Sequence, residues 1–170
     1  HVVNALISAA RNGKKVTVFV EAKARFDEEN NLKWAARMEE VGIDVRFSNI
    51  DLKVHAKVAL LIGEDVEGKP LKYAFFGTGN FNEKTASIYA DHALLTCNPE
   101  LCNELDNAFE FIFGNIREVE FKHLLVAQVN MVEVFSEKIE REILHAKEGK
   151  EARITVKLNN LQDPNIIQKI

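Results

Sequence analysis

The chain has 170 residues, 46% of them hydrophobic and 28% charged, with a formal net charge of −4; this balance fits one globular domain with part of a second and disfavours disorder, collagen and coiled coil. Mild acidity argues against the broad basic face of a general nucleic-acid surface, so no nucleic-acid partner is expected, yet it leaves room for a small basic pocket that takes a polyanion. No apolar run approaches the ~18–20 residues of a transmembrane segment, and two cysteines, Cys97 and Cys102, make neither a disulfide framework nor a CxxC motif, so both are expected to be reduced and inert.

Taken in chain order, Val2, Val3, Leu6, Ile7 and Ala10 keep helical spacing, and Asn12-Gly13 ends that helix. Val16–Val20 reads as a buried strand. Asp27 is placed to cap a helix whose first turn carries Glu28 and Glu29, with Leu32, Ala35, Ala36 and Met38 facing inward and Gly42 as its stop. Ile43–Phe47 alternates as a half-buried strand. Lys57–Ile62 and Leu71–Phe76 are two more, joined through the turn-rich Gly63–Pro70 stretch as a hairpin, and His92–Thr96 is a fifth.

Asn98 as N-cap and Pro99 at the first helical position open a helix with Leu101, Leu105, Phe109 and Ile112 on one face, ended by Gly114. A longer helix runs from about Asn130 to Lys147 with Val132, Phe135, Ile139 and Ile143 as its stripe, and Ile154–Leu158 restarts a strand pattern. The expected class is α/β: a sandwich on a mixed sheet over residues 1–128, then a truncated second α/β unit over 129–170. A start at His1 inside an apolar-periodic segment, and an end at Ile170 shortly after the helix start at Pro164, suggest a piece of a longer protein.

The densest chemistry is Lys53-Val54-His55-Ala56-Lys57 followed by Gly77-Thr78-Gly79-Asn80. His55 and Lys57, two apart at a strand start, project to one face and set an imidazole beside an ammonium. The glycines of the second block let backbone N–H groups approach an anion. Imidazole, lysine and asparagine around a small anion site suit phosphoryl transfer: the imidazole attacks phosphorus, and the lysine and amide stabilise charge on the equatorial oxygens. From pattern alone, a solvated strand end and an ordinary turn are the competing reading of the two blocks.

His-Ala-Lys with a downstream Gly-Thr-Gly-Asn resembles the His-x-Lys…Gly-Ser-x-Asn half-motif of the phospholipase D superfamily. The longer blocks Ala24–Asn30, Leu52–Lys57 and Gly77–Ala86 (GTGNFNEKTA), with Leu94–Thr96 and Lys157–Leu161, resemble the polyphosphate kinase family from end to end of the chain. The superfamily aspartate that follows the lysine is missing here, since only apolar residues run through Ile62; polyphosphate kinases share that absence.

The resemblance implies a phospholipase D-like αβα sandwich and reversible transfer of the ATP terminal phosphate to polyphosphate through a phosphohistidine. His55 corresponds to the phosphorylated histidine, with Lys57 and Asn80 as its catalytic companions and Gly77, Thr78 and Gly79 as phosphate binders. Tyr89 matches a tyrosine of the ATP site, whereas pattern alone makes it a core aromatic. Arg25 matches an arginine assigned to the magnesium site; a guanidinium cannot ligate a cation, so Arg25 is read as holding phosphate oxygens that carry Mg2+, the expected cofactor. A salt bridge to Asp27 or Glu28 is its alternative.

Lys53 and Lys84 add positive potential. His92 is a further candidate for lining the site, while His123 is expected to be packed and His145 exposed. The implied partners are ATP or ADP and inorganic polyphosphate, in a homo-oligomeric cytoplasmic enzyme with membrane association left open. Two rivals stand beside this reading. A phospholipase D-like phosphodiesterase would hydrolyse a diester without ATP, and a non-catalytic polyanion-binding module would never acquire label on His55.

Overall fold

A computed structural model describes residues 1–21, 28–48, 54–158 and 160–170, with Glu28 described by its backbone alone. The block around Arg25, the Asp27 cap and Lys53 therefore lie outside the described residues. The described residues form two compact units, His1–Ile116 and Arg117–Ile170.

In the first unit, helix α1 (Val2–Arg11), strand β1 (Thr17–Val20), helix α2 (Glu28–Glu39) and strand β2 (Asp44–Phe47) make a βαβ crossover in which β1 and β2 pair in parallel, Thr17 opposite Asp44 and Val20 opposite Phe47. Gly13 and Gly42 take φ of +77° and +84° just past α1 and α2, the left-handed exit that lets the chain turn back without a Cβ clash. Ile7, Met38 and Ile43 are the buried centre, wrapped by Val3, Leu6, Val16, Val18, Val20 and Val45. Ala35 joins Met38 on the buried face of α2, but Leu32 and Ala36 are exposed, so the inward face is narrower than the four-residue stripe expected.

Strands β3 (Lys57–Glu64), β4 (Pro70–Gly77) and β5 (Ala93–Thr96) form an antiparallel ladder in the order β3-β4-β5. The hairpin between β3 and β4 closes through Asp65, whose Oδ1 accepts the Glu67 and Lys69 amides at 2.8 and 2.9 Å. Both pairing modes of a mixed sheet are thus present, carried by a parallel pair and an antiparallel triplet that no ladder joins among the described residues. A four-residue helix, α3 (Glu83–Ala86), lies between β4 and β5.

Helix α4 (Pro99–Ile112) starts as expected, with the Asn98 side chain accepting the Leu101 N–H at 3.0 Å. It buries Cys102, Leu105 and Ala108, and the Cys102 Sγ lies 3.5 Å from the Lys72 carbonyl of β4. Fully burying one such Leu stabilises by roughly 1.5–3 kcal/mol. At the far end of α4, Phe113 meets Phe109 and Phe19 of β1, with ring centroids 5.7 and 6.3 Å apart, and carries the Arg46 guanidinium 4.4 Å above its ring. Cys102 is fully buried, in keeping with an inert thiol, and Cys97 is exposed.

The second unit holds α5 (Met131–Lys147) and α6 (Pro164–Lys169). The Asn130 side chain accepts the Val126 N–H and donates to the carbonyls of Phe121 and Leu124, which ties the preceding segment to the head of α5. That tie joins the segment from Phe121 to α5 within the second unit, Arg117–Ile170. The Asp163 side chain caps α6 by accepting from Asn165 and Ile166.

The expected strand at Ile154–Leu158 is absent: these residues are exposed and outside any helix or strand, and no second strand exists among the described residues of this unit to pair with them. Along α5 only Ile139 is buried. His123 is exposed and His145 half-buried, the reverse of the expectation. The Arg153 backbone N–H and the Arg141 side chain hold the Glu142 carboxyl below the usual carboxylate range. Among the described residues no helix is long and apolar enough to cross a membrane.

Candidate active site

The C-terminal ends of parallel strands leave a crevice where open α/β sheets place their ligands. β1 ends beside Glu21, whose carboxylate accepts the Ser48 hydroxyl at 2.8 Å and the Val54 N–H at 2.9 Å. One side chain thus ties the exit of β1, the exit of β2 and the residue preceding His55. Nothing in the motifs marked Glu21; the available signal was a carboxylate directly following a buried strand.

His55 lies just before β3, and Lys57 is the first residue of that strand. The Lys57 Nζ lies 3.0 Å from the His55 Nδ1 and 3.2 Å from Nε2, and it also donates to the His55 carbonyl at 2.8 Å. Lys57 is only 9% exposed. An ammonium has no acceptor capacity, so this contact suits a neutral imidazole ring. The expected juxtaposition of imidazole and ammonium is present and closer than same-face projection alone requires.

The ladder register sets Gly77 opposite Lys57 on one side and opposite Ala93 on the other. Gly-Thr-Gly-Asn therefore begins across from the His-x-Lys segment, at the same end of the sheet. Thr78 extends the β4–β5 pairing by one step: its N–H donates to the His92 carbonyl at 3.0 Å, and its hydroxyl accepts the His92 N–H at 3.0 Å. His92 is brought to the turn by its backbone. Beyond Asn80, Phe81 packs tilted against Phe75 at 5.5 Å between centroids, and the Asn82 side chain accepts the Lys84 and Thr85 amides to cap α3. Part of the long GTGNFNEKTA block thus encodes an anchor and a helix cap, beside whatever chemistry its turn performs.

Tyr89 follows α3, where its N–H donates to the Thr85 carbonyl at 3.1 Å. It is 67% exposed, so the core placement that pattern alone gives is overturned. Lys84 is also exposed, and Asn80 sits exposed in the turn.

With this geometry in place the comparisons are decisive. Residues 1–118 match the family model described as polyphosphate kinase C-terminal domain 1, and residues 124–170 match polyphosphate kinase C-terminal domain 2. The chain belongs to the polyphosphate kinase family. It is 48% identical to a polyphosphate kinase of Synechocystis sp. over 99% of this chain and 23% of that protein, and 46% identical to that of Escherichia coli K12 over 99% and 24%. The crystal structure of polyphosphate kinase from Porphyromonas gingivalis superposes with a TM-score of 0.85 at 46% identity, covering 99% of this chain and 28% of the other. The chain therefore has the phospholipase D-like fold of that family, and it spans about a quarter of the length of these curated relatives.

Proposed function

We propose that the protein of which this chain forms part is a kinase that moves the terminal phosphate of ATP to polyphosphate, and back, through a phosphohistidine at His55. The observation that carries this reading is the Lys57 ammonium held within 3.0 and 3.2 Å of the two His55 ring nitrogens. In the first step a ring nitrogen forms a bond to the γ-phosphorus as the bond from that phosphorus to the β,γ-bridging oxygen breaks, and ADP leaves. In the second, a terminal oxygen of polyphosphate attacks the same phosphorus, the N–P bond breaks, and the neutral imidazole returns. Lys57 and the amides of Gly79 and Asn80 face charge that grows on the equatorial oxygens, where fixed donors contribute most.

Arg25 is assigned to grip phosphate oxygens bidentately, and Tyr89 to support the nucleotide. Magnesium would neutralise triphosphate charge. The described residues contain no group of three or more His, Cys, Asp or Glu side chains able to hold a metal, which suits an ion bound chiefly through substrate phosphates. A homo-oligomer in the cytoplasm belongs to the same reading.

The test is product analysis with the full-length protein: ATP and magnesium should give polyphosphate and ADP in step, with no cleavage of phosphodiesters. Diester hydrolysis without ATP would replace the kinase by a phosphodiesterase, and polyphosphate binding without turnover would leave a binding module. Within the kinase, Tyr89→Ala should raise the KM for ATP by about tenfold, the loss of about 1.4 kcal/mol of stacking or contact, and leave the KM for polyphosphate nearly unchanged. Equal shifts in both would remove Tyr89 from the nucleotide site.

A further inference from the structure

Gly79 poses a question that backbone conformation does not answer. Its φ is not among the positive values that favour glycine, which belong to Gly13, Gly42, Gly68, Gly114 and Gly149. A Cβ built there would instead fall within 3.0 Å of all three heavy atoms of the Asp91 carboxyl group. That carboxylate is also fixed from the side, because Thr78 Oγ1 donates to Asp91 Oδ1 at 3.1 Å.

We propose that Asp91 is a positioning residue for the phosphate-handling turn: its carboxylate, seated over Gly79 and held by Thr78, fixes the Gly77–Asn80 backbone against the start of β5. The proposal rests on the phosphoryl-transfer reading above and adds a residue that none of the site motifs contains. Four contacts meet at one hydroxyl and one amide, the longest of them 3.4 Å from Thr78 Oγ1 to the His92 carbonyl. Thr78 Oγ1 gives its proton to Asp91 and accepts the His92 N–H at 3.0 Å, while the Thr78 N–H donates to the His92 carbonyl at 3.0 Å.

The Thr78 amide is therefore spent on β5 and is not offered to an anion. Among the described residues the Gly79 and Asn80 amides have no protein acceptor, and they are the donors left for substrate oxygens. Their placement depends on Asp91, which supplies the three atoms nearest to a Cβ built at Gly79. A displaced carboxylate would shift the turn relative to Gly77, and with it the donors standing across the ladder from Lys57.

The experiment is a double-mutant cycle in the full-length kinase, read by thermal unfolding and by steady-state kinetics. Gly79→Ala should lower Tm and cut kcat by about tenfold or more, since the new methyl expels the carboxylate. Asp91→Ala should cut kcat by about tenfold with KM for ATP within about twofold, and adding Gly79→Ala to it should cost less than about threefold more, because the clash is gone. Asp91→Asn keeps the planar shape and the oxygen that accepts from Thr78, so it should hold kcat within about threefold.

Multiplying losses in the cycle, or an Asp91→Asn enzyme as slow as Asp91→Ala, would overturn the proposal; the second result would assign the carboxylate's charge to the reaction itself. The Tm cycle needs no activity. A full-length protein that makes no polyphosphate would sink the kinase reading, while additive Tm losses would sink the Asp91 proposal even in an active kinase.

Discussion

His55→Ala in the full-length kinase should lower polyphosphate synthesis by at least about 10,000-fold, or about 5.5 kcal/mol of transition-state stabilisation. On the proposed mechanism the substitution removes the group that forms the covalent bond in both half-reactions, so neither direction escapes. Folding should be nearly untouched. His55 is exposed, it lies outside β3, and an exposed truncation away from caps and cores costs little. Initial rates and a melting curve on one preparation check both halves. Residual synthesis within about a hundredfold of the parent would mean that phosphate passes directly from ATP to the chain.

Lys57→Met should cut kcat by about 100- to 1,000-fold, the scale set by losing one charge-stabilising donor at a transition state. Here the stability outcome separates catalysis from architecture. Lys57 is buried at the head of β3, and methionine keeps its unbranched stem while removing an ammonium whose desolvation is costly. The variant should therefore melt at or above the parent temperature while turning over slowly. A matched fall in Tm and kcat would show that Lys57 serves the fold through its bond to the His55 carbonyl, and not the reaction.

What sequence made visible was whatever depends on neighbours along the chain. Asn98-Pro99 announces α4, Gly13 and Gly42 end their helices, and the His-x-Lys spacing sets imidazole against ammonium, because caps, left-handed exits and alternation are local. What it missed depends on residues far apart. Ile154–Leu158 has the pattern of a strand but no partner in its unit, and a pattern cannot supply one. The stripe of α5 is apolar by period, yet Val132, Phe135 and Ile143 are exposed, since periodicity identifies a face and not its cover.

The site divides the same way. His55, Lys57 and the glycine turn were evident as motifs, and ladder register brings the last two to opposite sides of one strand pair. Glu21 and Asp91 were not evident. Glu21 acts by bridging Ser48 to Val54, and Asp91 by filling the space over Gly79. Each is an ordinary carboxylate until the fold closes. Gly79 itself was legible as important, but the Asp91 carboxyl group that its missing side chain makes room for was not.

The measurement that bears most directly on the phosphohistidine is peptide mapping of the full-length kinase after brief exposure to γ-labelled ATP and magnesium. The label should sit on the peptide containing His55, be lost in acid and kept in base, and move to polyphosphate or back to ADP when either is added. Label that is absent, that resides on another residue, or that cannot be chased into product would contradict the account.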